Sequence, residues 1–317
     1  MAHNLSSPPG ADAPEDLAES AIPACVMVFN ASDPSGAGGL TADIATISSV
    51  GGHPVAVVTG AYVRDTHEIF DHHSLGEEAV REQARTALED LPVQVIKVGF
   101  VGTPEILAAI AELTTDYAHI PVISYMPNLA WWEDSLIEQY LDAFGELLLP
   151  QTSVLVGNYS SLRRWLLPDW SGEQNPTARD LAAAAAELGA PYTLVTGMSL
   201  PDQHVDNVLA SPYTVLGSSR FELFDATFTG AGDTLSAALA ALLACGTDLN
   251  EACTEALSYL DRCLDGGFRP GMGHIVPDRM FWAEPEDADD ADDGPPGTDI
   301  DLPSIDGFAF PPHDTKH

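Results

Sequence analysis

The 317-residue chain is poor in positive charge. It has two lysines, Lys97 and Lys316, and 12 Lys and Arg residues in all against 48 Asp and Glu, for a formal net charge of −36. So acidic a surface excludes nucleic acid and an anionic membrane as partners. Cysteine is scarce as well. Cys25, Cys245, Cys253 and Cys263 show no CxxC spacing, which excludes a paired thiolate metal site and reads as buried, reduced thiols in a reducing cytoplasm. No segment offers 18 charge-free apolar residues to span a membrane. Residues 1–22 lack the basic start and apolar run of a signal peptide. The expected location is cytoplasmic.

The acid excess is not confined to the ends. Residues 23–283 hold 33 of the 48 acids and 11 of the 12 bases. Two readings fit this, an ordinary acidic cytosolic enzyme and, the one favoured here, a surface adapted to high salt, where screening removes the mutual repulsion of its carboxylates. The thermal midpoint is therefore expected to rise as KCl is raised from about 0.1 M to about 2 M, since the Debye length shrinks from about 10 Å at 0.1 M to about 3 Å at 1 M. Deletion of the tail from Glu284 onward should leave most of that rise. A flat or falling midpoint would mark an ordinary acidic protein.

What is present is alternation. Strand-like apolar runs recur at 24–29, 54–59, 94–98, 121–125, 153–156 and 192–196. Helical patterns fall at 40–50, 76–90, 104–116, 133–147, 160–167, 177–188, 230–245 and 249–265. This order predicts an α/β fold with a mostly parallel central sheet and helices on both faces. Residues 204–224 read as less regular, antiparallel β structure at the sheet edge. Residues 1–22 are expected to form a flexible arm, 23–283 one domain and 284–317 an acidic disordered tail. Trp131-Trp132 reads as packing, with stacking on a base or a pyrimidine as the alternative. His72-His73 beside Asp71 reads as a solvated loop, because no ligand set accompanies it.

Two glycine-rich stretches carry the chemistry. Gly230-Ala231-Gly232 runs into an alanine-rich helix with Asp233 in its first turn. Backbone N–H groups at such a start, reinforced by the helix dipole, form a hole for a phosphate or another oxyanion. Asp233 follows, placed to take a proton from an attacking hydroxyl. A glycine turn before a helix is also ordinary left-handed turn chemistry. The second stretch follows the strand Val26–Phe29 and reads Asp33-Pro34-Ser35-Gly36-Ala37-Gly38-Gly39, then a helix with Asp43. Two such loops suit a nucleotide on one side and a small substrate on the other, at the carboxyl ends of parallel strands.

With these residues the chain resembles the hydroxymethylpyrimidine/phosphomethylpyrimidine kinases of thiamine biosynthesis, within the ribokinase-like superfamily. The resemblance spans roughly residues 24–282. Besides the two loops it rests on Val58-Thr59-Gly60-Ala61, Asp65-Thr66, Ile96-Lys97-Val98-Gly99-Phe100 and Gly273-His274. It implies a three-layer α/β/α fold and transfer of the γ-phosphoryl group of ATP, with Mg²⁺, to a hydroxymethyl group. The implied catalytic set is Gly230, Ala231, Gly232 and Asp233. Substrate would meet Asp33, Gly38, Asp43, Tyr62, Arg64 and Phe100, and ATP would meet Asn158, Thr196, Gly197 and Thr229. No metal ligand is assigned. The expected partners are a small-molecule substrate and ATP, and the oligomeric state is left open, a homodimer included.

The chain also departs from the pattern. Many family members carry Cys at the position of Asp233, whereas sugar and pyridoxal kinases of the superfamily carry Asp. Arg64 stands where the family has Gln; a guanidinium donates only and cannot accept from an aminopyrimidine. The family's D-P-V-M reads Ser124-Tyr125-Met126, the superfamily's N-x-x-E reads Asn158-Tyr159-Ser160-Ser161, and the K-G-G beside ATP reads Thr196-Gly197-Met198. Alternatives to a pyrimidine kinase are a pyridoxal-type kinase and a non-catalytic binding or regulatory member of the fold.

Overall fold

A computed structural model describes residues 22–283. The expected arm at 1–22, save Ile22, and the expected tail at 284–317 lie outside the described residues. Met1–Phe281 belong to one unit and Trp282–His317 to another, of which only Trp282 and Ala283 are described.

Nine strands form one sheet: β1 (Cys25–Ser32), β2 (His53–Arg64), β3 (Ile69–Ser74), β4 (Val93–Val98), β5 (Val122–Met126), β6 (Val154–Asn158), β7 (Tyr192–Leu200), β8 (His204–Ala210) and β9 (Val215–Glu222). Their spatial order is β3-β2-β1-β4-β5-β6-β7-β8-β9. β2, β1, β4, β5, β6 and β7 pair in parallel, and β3, β8 and β9 add antiparallel at the two edges. All six apolar runs are the parallel strands. The 204–224 stretch is more regular than expected, because β8 and β9 pair from His204↔Glu222 to Ala210↔Val215. His72 and His73 lie in β3, a strand and not a loop. His72 packs edge-on against Tyr62 at 5.4 Å and Phe100 at 4.9 Å, and burial pushes its pKa down to about 4.

The helices are α1 (Gly39–Val50), α2 (Glu77–Asp90), α3 (Pro104–Asp116), α4 (Asp134–Ala143), α5 (Tyr159–Leu166), α6 (Ala178–Glu187), α7 (Ala231–Ala244) and α8 (Leu249–Asp265). Successive strand side chains point to opposite faces, and β1 shows what each face buries. Cys25, Met27 and Phe29 enter the core built with α2 through α6. Val26 and Val28 enter the one built with Leu40, Ile47, Leu235 and Leu257 of α1, α7 and α8. The result is three layers with the sheet buried on both sides. Burying each large apolar side chain contributes about 1.5–3 kcal/mol. None of the described helices is long and apolar enough to cross a membrane. All four cysteines are free, and Cys245 is exposed, against expectation. It sits at the C-cap of α7, where the chain leaves the sheet.

Helix starts divide into two kinds. Thr103, Asn158 and Thr177 cap α3, α5 and α6 with side-chain oxygens. α1, α2, α4, α7 and α8 have no side-chain cap, and α1, α2 and α7 begin at glycines, Gly38, Gly76 and Gly230. Of these uncapped starts, those of α1 and α7 face the same site.

Candidate active site

The carboxyl ends of the parallel strands bring the chemistry together. On β1 and β4, side chains at alternate positions follow Val26, Val28 and Val95 onto the α1/α7 face, and the next residues on that face are Asn30 and Lys97. Lys97 Nζ lies 2.7 Å from Asp43 Oδ1 of α1 and 3.0 Å from Asp233 Oδ1 of α7. Asn30 Nδ2 donates to Asp43 at 2.8 Å and to Asp233 at 2.9 Å. The Gly39 amide donates to Asp233 Oδ2 at 2.9 Å, so Asp233 serves as the missing cap of α1 and gains from its dipole. Lys97 and Asp43 are fully buried, while the Asp233 side chain keeps 17% exposure. Burial raises the pKa of Asp233, but Lys97, the Gly39 amide and Asn30 outweigh it and hold the group below the usual carboxylate value. For Asp43 burial outweighs Lys97 and pushes it up to about 6. Burial alone would lower Lys97; the two carboxylates hold it above its ordinary value.

Two arginines complete the frame. Arg64, at the end of β2, pairs with Asp33 at 3.3 Å and donates to Thr229 Oγ1 at 2.8 Å and the Asp65 carbonyl at 3.0 Å. Asp33 also accepts from the Ser35 and Gly38 amides at 2.8 and 2.7 Å, which shapes the first glycine loop. Arg279, 7% exposed, donates to Thr234 Oγ1 at 2.9 Å, the Gly36 carbonyl at 3.2 Å and the Ala37 carbonyl. It ties that loop to α7. Lys97 and Arg64 thus pair with Asp33, Asp43 and Asp233, and Arg279 adds a further positive charge behind the glycine turn.

The second glycine loop needs its glycines. Gly230 has φ +86°, and a β-carbon there would overlap the Ala37 carbonyl; one at Gly232 would overlap Tyr125 Oη. The first intrahelical bond of α7 runs from the Thr234 amide to the Gly230 carbonyl at 3.0 Å. The amides of Ala231, Gly232 and Asp233 precede it and are the donors such a turn offers an oxyanion. This turn stands where two cavities meet. One of about 650 Å³ is lined by Tyr62, Arg64, Tyr125, Trp131, Asp233 and neighbours. The other, about 340 Å³, is largely apolar and runs between Val205, Phe221, Leu257 and Leu260. They share Asn158, Thr196, Phe228 and Ala231.

A family model for phosphomethylpyrimidine kinase matches residues 33–278. The chain belongs to the phosphomethylpyrimidine kinase family. Among its relatives is the hydroxymethylpyrimidine/phosphomethylpyrimidine kinase of Mycobacterium leprae, 28% identical over 269 residues, covering 80% of this chain and 92% of that protein. The fold is similar to pyridoxal kinase from Staphylococcus aureus in complex with AMP-PCP and pyridoxal, with a TM-score of 0.72, 20% identity, and 82% and 94% coverage. It is also similar to phosphomethylpyrimidine kinase from Clostridium difficile, with a TM-score of 0.61, 21% identity, and 76% and 99% coverage.

For this member of the phosphomethylpyrimidine kinase family, the structure sorts the expected site residues into two shells. Tyr62, Arg64, Thr229, Gly230, Gly232 and Asp233 line the larger cavity, Asn158, Thr196 and Ala231 line both, and Gly197 lines the smaller. Asp33, Gly38, Asp43 and Phe100 are buried behind the wall: Asp33 and Gly38 hold the loop, Asp43 holds Lys97, and Phe100 stacks behind Tyr62 at 5.8 Å. Asn30, Tyr125, Arg279 and the pairing of Lys97 were missed. Lys97 carried a signal, since a lysine inside the apolar run Val93–Val98 demands a buried counter-ion. Trp131, read as packing, stands edge-on to Tyr62 at 6.1 Å and also lines the cavity. Among the described residues no cluster of three His, Cys, Asp or Glu side chains could hold a metal ion. Asp33, Asp43 and Asp233 are engaged by Lys97, Arg64, Asn30 and backbone amides, so a resident metal does not fit them.

Proposed function

We propose that this chain transfers the γ-phosphoryl group of ATP to the hydroxymethyl group of hydroxymethylpyrimidine, of its monophosphate, or of both, as an enzyme of thiamine biosynthesis. The observation that carries the reading is the position of the glycine turn at the junction of the two cavities. The apolar cavity suits adenine, and the amides of Ala231, Gly232 and Asp233 suit the phosphates. The larger cavity, walled by Tyr62 and Trp131, suits a flat heteroaromatic acceptor. Mg²⁺ enters with ATP as part of the substrate, and no step here is routed through it. Positioning and charge neutralisation supply most of the catalysis in such transfers.

Asp233 is the base in this reading. Its Oδ1 is occupied by Lys97 and Asn30, while Oδ2 accepts one bond from Gly39 and keeps a lone pair for the acceptor's proton. The test is ADP release by the purified protein with MgATP and, in turn, hydroxymethylpyrimidine, its monophosphate and pyridoxal. Turnover of pyridoxal alone would move the protein to the pyridoxal kinases, and no turnover on any of them would leave a binding protein.

Arg64 sets the substrate's charge in this scheme. Three of its five N–H donors are committed to Asp33, Thr229 and Asp65, which leaves two on a residue that lines the cavity. Arg64→Gln should weaken the phosphorylated pyrimidine relative to the neutral alcohol by about 1–3 kcal/mol, the scale of a charge-assisted hydrogen bond. Unchanged relative affinities by calorimetry would show that Arg64 serves the loops alone.

A further inference from the structure

We propose that Tyr125 is a catalytic residue whose phenolic O–H donates to an oxygen of the phosphoryl group held in the Gly230–Asp233 turn. The proposal rests on the kinase reading above. Tyr125 stands one residue before the end of β5 and points, with Ile123, to the α1/α7 face. Its Oη lies against Gly232, so close that a β-carbon there could not fit. The phenol therefore adjoins the amides that are to hold the phosphate.

The hydroxyl is unspent. Oη makes no hydrogen bond among the described residues, and Tyr125 lines the larger cavity. The ring is held in place by the Lys97 ammonium, 5.6 Å from its centroid. Burial first, then the charges of Asp233 and Asp43, oppose its ionisation. At neutral pH it is a donor. Its neighbours give the role a reason: Lys97 is committed to two aspartates, and Thr196-Gly197 stand where the resemblance places a lysine beside ATP. Arg64 remains as the cation of the cavity wall, tied to Asp33 and Thr229.

In the transfer, the hydroxymethyl oxygen bonds to the γ-phosphorus while the bond to the β,γ-bridging oxygen breaks. That electron pair leaves with ADP, and the hydroxyl proton goes to Asp233. Charge builds on the phosphoryl oxygens as they pass the turn. The backbone amides and the Tyr125 O–H meet it there, and the benefit is greatest at the transition state.

The test is Tyr125→Phe in the full chain, which removes one oxygen and keeps the ring. Turnover with MgATP and hydroxymethylpyrimidine should fall on the order of 10²-fold, the effect of losing one oxyanion donor. The KM for ATP should stay within about threefold and the thermal midpoint unchanged, because the interaction is made in the transition state. A second arm measures ADP affinity with and without aluminium fluoride, a stand-in for the moving phosphoryl group. Aluminium fluoride should tighten ADP on the wild type at least about tenfold more than on Tyr125→Phe. Equal or faster turnover by the variant, or equal tightening in both proteins, would make Tyr125 a packing residue. A wild type that transfers no phosphate overturns the kinase reading, and the aluminium fluoride arm then decides Tyr125 by itself.

Discussion

Asp233→Asn is expected to lower turnover by about two to four orders of magnitude, the usual contribution of a positioned base. An amide cannot take the acceptor's proton. It also turns a donor toward either the Lys97 ammonium or the Gly39 amide, both donors themselves. ATP affinity should change little, because the amides of the turn belong to the backbone. The pH profile of the wild type checks the same assignment. A base works when deprotonated, and Asp233 is held below the usual carboxylate value, so activity should persist into acid and fall only beneath that range. Steady-state ADP release measures both effects. Undiminished ADP formation by the variant would take Asp233 out of the mechanism.

Lys97→Met should be the most destabilising single change at the site. It leaves Asp43 and Asp233 facing each other in the core with no ammonium between them. Removing one partner of a buried pair costs about 3–5 kcal/mol, a large part of the roughly 5–15 kcal/mol that holds a domain together. The loss should shrink as pH falls. Asp43 already stands near 6 with Lys97 present, and without it the folded-state value rises further. A carboxyl raised above its unfolded value binds its proton more tightly when folded, so lowering the pH through that value favours the native state. Urea unfolding at pH 7.5 and pH 5 reads the difference. Adding Asp43→Asn to Lys97→Met should restore part of the stability at pH 7.5. A loss independent of pH and not rescued by Asp43→Asn would show that Lys97 contributes through its methylene stem.

Much of this architecture was legible because parallel strands buried on both faces read as plain apolar runs. β3 was not. Ile-Phe-Asp-His-His-Ser pairs on one side only, with β2, and an edge strand can carry charge that a central strand cannot. β8 and β9 were placed but not recognised as a regular ladder, since register there is fixed by pairing across the turn and not by local composition. The glycine loops could be found because their conformation demands a residue without a side chain. The ion network could not, because its partners are far apart in the chain. Asn30, Asp43, Lys97 and Asp233 meet only when α1 and α7 pack side by side on β1 and β4. Arg279 reaches Ala37 across 242 positions, and no local pattern records that distance.

The burial of Lys97 gives the native protein an internal clock. It is the one lysine among the described residues and its side chain is fully covered. An amine-acylating reagent can reach it only in molecules that have opened around β4, α1 and α7. Mass spectrometry of the peptide containing Lys97, sampled over time, therefore counts those openings directly. A ligand that binds across the two glycine loops slows the count in proportion to its occupancy, so the same modification reports binding without any turnover.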